Sequence, residues 1–476
     1  MTTTLTPDGP DAGVGTATTP YPVASGAPLT HHPGRWIEGW DPEDRDQWVA
    51  HGRGVATRNL RWSIFAEFLG FCVWQLWSIV VVLLPAAGFD LTTAQVFWLI
   101  SVPALVGATL RIPYTFMVSR VGGRNWTIIS AALLLAPTLG LALVLDRPDT
   151  PFAVLLIIAA LAGVGGGNFA SSMANISFFY PQREKGWALG LNAAGGNIGA
   201  AVAQLLVPIV VTIGAASALR LPLAGWIWVP LILIAVVGAA LRMDNLTHAR
   251  ADVTAVLSVL REPHLWIMAL LYVATFGSFI GFAGVFPKLI ADSFPTYSTF
   301  QVGSATLSLA FLGALVGSLS RPYGGRLADR FGGTVVTMVA LFVMALGALG
   351  VGATIDLGNF WVFLGVFLVL FAAAGVGNGS TYRMVPTIFA LRAGVADAHL
   401  RSGDVSAQRA ASAALGLISA IGAYGGFLIP QALGRSQIAY GTYEVGLLWF
   451  VAVYVVILAV TGAVYLTLGR RTGVRI

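Results

Sequence analysis

Twelve stretches of about twenty apolar residues constrain this chain more than any other feature. An α-helix rises ~1.5 Å per residue, so each stretch is long enough to cross a ~30 Å hydrocarbon core. They fall at 60–84, 94–118, 125–145, 152–179, 187–215, 225–241, 265–290, 300–320, 334–354, 359–382, 410–434 and 445–467. Composition agrees, with 57% hydrophobic and only 10% charged residues, where soluble domains carry about a quarter charged. An all-α membrane protein with twelve transmembrane helices follows, and its first partner is the lipid bilayer. Cys72 is the only cysteine and the six histidines are scattered, so no disulfide, metal site or cofactor is expected.

A net charge of +6 would suggest nucleic acid in a soluble chain. Here the orientation of the spans explains it, and no nucleic-acid partner is expected. An even number of spans puts both tails on one side. Of the 27 Lys and Arg residues, 21 gather on that side and four (Arg147, Arg220, Lys288, Arg435) on the other. The positive-inside rule makes the tail side cytoplasmic. Two arginines remain, one late in the second span and one at the end of the eighth. Residues 1–30, rich in Thr, Pro, Gly and Ala, lack the pattern of a signal peptide and read as a disordered tail. Asp41-Pro42-Glu43-Asp44 predicts the start of a short helix at the membrane surface.

The chain also repeats itself. RIPYTFMVSRVGG from Arg111 matches RPYGGRLADRFGG from Arg321, at an offset of 210. AGVG recurs at 162–165 and 374–377, and ALGL at 188–191 and 414–417. Three matches in order divide the chain into two homologous six-helix halves. The organisation expected is a cytoplasmic tail with its surface helix (1–57), a first half (58–242), a charged cytoplasmic linker (243–264), a second half (265–467) and a short tail (468–476). Halves related in this way place a substrate site near the midplane between them.

The two unassigned arginines are Arg111 in span 2 and Arg321 at the matching point of span 8. Burying an arginine in a bilayer costs at least ~2.5–3.5 kcal/mol. Either one alone is explained by snorkelling to nearby water. Snorkelling does not require symmetry, whereas a shared central site does. Paired guanidiniums in an apolar cavity select an anion, and their planar forks suit a small planar oxyanion. Phe71, Trp74, Phe169, Tyr272 and Phe276 lie in the neighbouring spans, and Tyr272 and Phe276 are four apart on one helix face. Most such aromatics pack or face lipid. A few flat rings beside the cationic pair favour a flat, weakly hydrated anion over phosphate or sulfate.

GVGGGNFASSMANISFFYPQREKG (163–186) places glycines and amides inside span 4. Its glycines, with GxxxG pairs in spans 5, 7, 10 and 11, fit close helix packing. A phosphate-cradling loop is excluded, since no GK[ST] follows. Asn168, Asn175, Asn192 and Asn197 need interhelical partners or a polar interior.

Residues 165–199, together with ALGLISAIGAYGGFLIP (414–430), RNLRWSIFAEFLGFCVW, LRIPYTFM and HLWIMALLYVATFGSFIGF, resemble the signatures of the nitrate/nitrite porter (NarK-type) family of the major facilitator superfamily. GGRLADRFGG (324–333) is similar to the cytoplasmic loop motif of that superfamily, with Asp329 and Arg330 as gate residues. In the first-half copy Ser119 stands where an acid is usual. The resemblance covers about residues 36–467. It implies a major facilitator fold, a multi-pass protein of a prokaryotic cytoplasmic membrane, carrying nitrate and nitrite; a monomer is expected. It also implies that Arg111 and Arg321 clamp the anion, with Phe169, Tyr272 and Phe276 around it and Phe71 and Asn197 lining the cavity.

Coupling stays open between two readings. Facing cations resist closure until an anion neutralises them, which fits nitrate/nitrite exchange. Glu67, an acid well inside span 1 and four residues before Phe71, instead admits nitrate/proton symport, with protons as a further partner. The resemblance sharpens this, because exchanger members of the family carry an apolar residue at this place and proton-coupled members an acid. A plain structural role as partner to an arginine or a tryptophan is the third option. No nucleotide motif supports a primary pump and no catalytic cluster supports an enzyme. A non-transporting anion sensor is the remote alternative.

Overall fold

The computed structural model describes residues 29–213, 219–249, 253–392, 405–474 and 476. Residues 1–28 of the tail read as disordered lie outside these, as do Arg250, Arg401 and Arg475 of the charge count. Among the described residues, eleven helices are long and apolar enough to cross a membrane. In chain order they are α1 (Arg45–Leu83), α2 (Thr93–Val121), α3 (Gly123–Val144), α4 (Phe152–Phe179), α5 (Gln182–Thr212), α6 (Leu223–Arg242) and α7 (Pro263–Ser293). After α8, introduced below, come α9 (Gly333–Asp356), α10 (Phe360–Arg392), α11 in two pieces (Val405–Ala423 and Gly425–Tyr440) and α12 (Glu444–Thr472).

The eighth expected span differs. Residues 300–307 form a hairpin, with strands Phe300–Val302 and Ala305–Leu307 turning at Gly303, whose φ is +62°. The helix α8 begins only at Phe311 and runs to Phe331. The β-branched and aromatic residues of STFQVGSATL suit a strand pair around a glycine better than a helix. The shift moves Arg321 from near a helix end to the middle of one. Because α8 carries Arg321, Arg326, Asp329 and Arg330, it falls short of the hydropathy of its neighbours.

A second difference lies at the start. The helix expected as a separate surface element is capped at Asp44, whose side chain accepts from the Asp46 and Gln47 amides. It then passes through a π-helical turn, Trp48–Gly52, directly into the 53–74 segment of α1. The continuation is driven by packing. Trp48 and Trp40 are buried with their rings against Tyr180 and Phe179. A three-stranded sheet adds to this: β1 (Thr30–His32) pairs with β2 (Trp36–Glu38), and β2 runs parallel to β3 (Asn245–Leu246) after α6.

The repeat is visible in the backbone. α2 and α8 both end at a glycine of left-handed φ, Gly122 at +90° and Gly332 at +91°, separated by the offset of 210 seen in the sequence. Each allows the reversal into the next helix that a side chain would strain. α2 packs along α4, and α8 along α10, through paired glycines. A Cβ on Gly163 would meet the Gly107 nitrogen at 2.9 Å, and one on Gly375 the Gly317 oxygen at 2.2 Å. The glycines of the polar stretch in α4 serve close approach of this kind on several sides.

Hydrogen bonds join the halves from the level of Arg111 toward the arginine-poor end. Gln204 donates to the Ala283 carbonyl at 2.7 Å, Gln431 to the Ser101 hydroxyl at 2.7 Å and the Thr306 amide to the Thr212 hydroxyl at 2.8 Å. The Thr109 and Tyr424 hydroxyls meet at 2.9 Å.

Candidate functional site

The fold brings the two buried arginines to one aromatic ring. The guanidinium carbon of Arg111 lies 4.6 Å from the centroid of Phe169, and that of Arg321 lies 5.8 Å from it. The two cations are therefore no further apart than the sum of these distances. Arg111 is also 5.1 Å from the Phe276 ring and 5.4 Å from Trp74, while Arg321 is 5.5 Å from Tyr382. Cation–π contact is worth ~2 kcal/mol or more when desolvated, which offsets part of the cost of burying the charges. Arg111 is 0% exposed and Arg321 7%, so Arg111 does not snorkel to water and Arg321 keeps only a small exposed edge.

The rings form a connected wall. Tyr272 and Phe276 stack at 5.1 Å with planes 21° apart, and Phe276 stacks on Phe169 at 6.3 Å. Phe71 meets Phe169 and Trp74 edge-on. Between Tyr272 and Ser278, α7 relaxes into a π-helical turn, Val273–Gly277, a local widening often found at functional sites. Tyr382 belongs to this wall as well, 6.2 Å from Tyr272. It was missed in the sequence because a single tyrosine in an aromatic-rich span carries no distinguishing signal.

Polar groups around the wall are incompletely satisfied within the chain. Arg111 donates Nε to the Gly166 carbonyl at 3.1 Å and Nη1 to the Ser419 carbonyl at 2.8 Å. Its Nη2 has no partner, nor do Arg321 Nη1, the Tyr272 hydroxyl and both amide atoms of Asn197 and of Asn168. A buried donor left unpaired costs ~1–3 kcal/mol. The arginine nitrogens and the Tyr272 hydroxyl lie on one aromatic wall, and unpaired donors so placed suit a polar guest.

Glu67 sits beside this group, buried at 1% exposure. Its Oε2 accepts from Asn192 at 2.7 Å and from the Ser172 hydroxyl, while Oε1 has no partner. It is electrostatically coupled to both arginines. The three residues come from α1, α4 and α5, and no sequence spacing links them. Asp329 and Arg330, expected at the gate, lie about two helical turns beyond Arg321 on α8. Asp329 accepts from Arg383 Nε at 2.6 Å, tying α8 to α10, and Arg330 lies over Phe331 at 5.1 Å. In the first-half copy, which lacks the acid, Arg124 donates to the Ala240 carbonyl and the Asn245 side chain accepts from the Arg124 amide.

Known proteins agree with this architecture. The Major Facilitator Superfamily profile matches residues 66–430. A bacterial homologue of the human lysosomal transporter Spinster, inward-facing and unoccupied, superposes with a TM-score of 0.59 at 17% identity, covering 88% of this chain and 97% of that one. The nitrate/nitrite transporter NarU of Salmonella typhimurium is 42% identical, over 91% of this chain and 96% of its own. A probable nitrate/nitrite antiporter of Thermus thermophilus, NarK2, is 36% identical over 86% and 92%. The chain belongs to the nitrate/nitrite porter family of the major facilitator superfamily.

Proposed function

We propose that this protein carries nitrate and nitrite across the bacterial cytoplasmic membrane by alternating access, clamping the anion between Arg111 and Arg321. The observation that carries the reading is the pair itself. Two buried guanidiniums from equivalent points of the repeat flank Phe169, each with a nitrogen that lacks a partner. A planar anion accepts in-plane hydrogen bonds from both forks while its faces lie against Phe169, Tyr272 and Phe276. Asn197 and Tyr272 supply further donors, and Phe71 closes the wall from α1. The names of the relatives support this choice of anion. Counting α8 as a span gives twelve helices with both termini cytoplasmic. The halves are then joined at the extracytoplasmic end, with Asp329, Arg330 and Arg383 at the cytoplasmic gate.

Exchange is the coupling the arginine pair favours, because closing over two unneutralised cations is costly. In proteoliposomes, nitrite loaded inside is expected to speed entry of external nitrate, with little uptake into vesicles lacking internal anion. Equal uptake with and without internal nitrite would sink this reading.

Glu67 favours a second reading, nitrate/proton symport. A buried carboxyl with one free oxygen, coupled to the clamp, can bind a proton on one side and release it on the other. An inward pH gradient would then drive nitrate uptake without internal anion, and Glu67→Gln would abolish that uptake. Proton-driven uptake that survives Glu67→Gln removes the residue from the mechanism.

A further inference from the structure

The arginine-rich end of the first half carries a site that the clamp does not use. Residues 53, 57 and 61 recur at helical spacing on α1, beside the row 54, 58, 62 and 65. Arg53, Thr57, Arg58, Arg61, Trp62 and Arg242 line a surface cavity of about 950 Å³. Below it and sharing Trp62 and Arg242, a second groove of about 390 Å³ runs along α6, lined by Leu233, Ile234, Val237 and Leu241. Trp62 lies directly on Gly238, where a Cβ would be 1.9 Å from its ring, so the groove floor is an aromatic plate seated between α1 and α6.

The cations in this site are unevenly committed. Arg58 is held by Asp244 at 2.6 Å and by the Arg242 carbonyl at 2.7 Å. Among the described residues, Arg53, Arg61 and Arg242 have no acidic partner within ion-pair distance. Ordinary positive-inside arginines are spread along loops, whereas these converge above an apolar channel. Leu233, Ile234, Val237 and Leu241 are exposed along that channel. An anionic head joined to a long apolar tail matches both parts.

We infer that this groove is a binding site for an anionic phospholipid, its phosphate among Arg53, Arg61 and Arg242 and one acyl chain along Trp62 and α6. The bilayer supplies such a ligand at this depth, and each arginine near the surface adds to its hold on an anionic lipid. Bound there, the lipid bridges the first and sixth helices of the first half.

The test is native mass spectrometry of the full-length protein in neutral detergent, titrated with phosphatidylglycerol and with phosphatidylcholine of the same chains. Phosphatidylglycerol is expected to bind about tenfold or more tightly. The triple variant Arg53→Gln, Arg61→Gln, Arg242→Gln is expected to lose that preference, while Arg147→Gln with Arg220→Gln keeps it. Glycerophosphoglycerol, the same head without chains, is expected not to compete at matched concentration. Equal binding of the two lipids by the unaltered protein would overturn the site even if the triple variant failed to fold. So would retained preference in a folded triple variant, or competition by the chainless head, which would make it a free-anion site.

Discussion

Arg111 and Arg321 occupy the same place in the repeat, yet they are held differently. Arg111 is fastened by two carbonyls, Gly166 from its own half and Ser419 from the other. The Arg321 guanidinium makes no hydrogen bond or ion pair among the described residues and lies against Phe169 and Tyr382. The backbone around the pair is symmetric while its wiring is not. Arg111 thus links the two halves through its guanidinium, and in the proposed clamp it would be the preorganised anchor. Arg321 would be the freer arm of that clamp, able to follow the anion as the halves rock.

The largest expected effect follows from that asymmetry. Arg111→Lys removes the planar fork and leaves at least one of two carbonyls unpaired. With a hydrogen bond to a charged group worth ~1.5–3 kcal/mol, nitrate kcat/KM should fall about 100-fold or more. Arg321→Lys forfeits only the fork toward the anion and should cost about tenfold, mainly in KM. Equal losses in the two variants, measured by uptake into proteoliposomes, would erase the distinction between anchor and arm.

Where the halves are alike, they should fail alike. Gly163 and Gly375, at matching points of the repeat, both press a neighbouring helix, with an added Cβ 2.9 Å from the Gly107 nitrogen and 2.2 Å from the Gly317 carbonyl oxygen. Neither backbone atom can move without shifting a helix. Gly163→Ala and Gly375→Ala should each destabilise by about 1–3 kcal/mol, seen as similar drops in thermal midpoint in detergent. A silent substitution in one half alone would show that half to be the more loosely packed.

Much of this was legible in the sequence because membrane helices write their constraints as composition. Length and apolarity located most spans, and the matched Arg111 and Arg321 exposed the repeat. The eighth span went astray because 300–310 is apolar enough to extend a span while Gly303 and its β-branched neighbours turn it into a hairpin. Backbone partners are invisible in principle, since Gly166 and Ser419 hold Arg111 through carbonyls that every residue has. The grouping of Glu67, Ser172 and Asn192 depends on how three helices rotate against one another, which no local spacing encodes. The helix through Trp48 was read from its cap alone. Its continuation depends on Tyr180, far along the chain.

The smallest expected effect concerns the gate loops, where the halves differ most in sequence. The second half ties α8 to α10 with Asp329 and Arg383, both more than half exposed at 56% and 54%. The first half has Ser119 in place of the acid and holds its loop through Arg124, Ala240 and Asn245. An exposed pair of this kind contributes only ~0.2–1 kcal/mol. Asp329→Asn should therefore leave the thermal midpoint nearly unchanged. If the pair steadies one state of the gate, an energy of that size shifts the balance between inward- and outward-facing forms by at most about fivefold. That shift should appear as a modest change in nitrate counterflow rate, at unaltered affinity for the anion, and should shrink as salt is raised. A loss of transport as large as that of Arg111→Lys would instead place Asp329 in the clamp's own machinery, which its exposure and its place about two helical turns beyond Arg321 argue against.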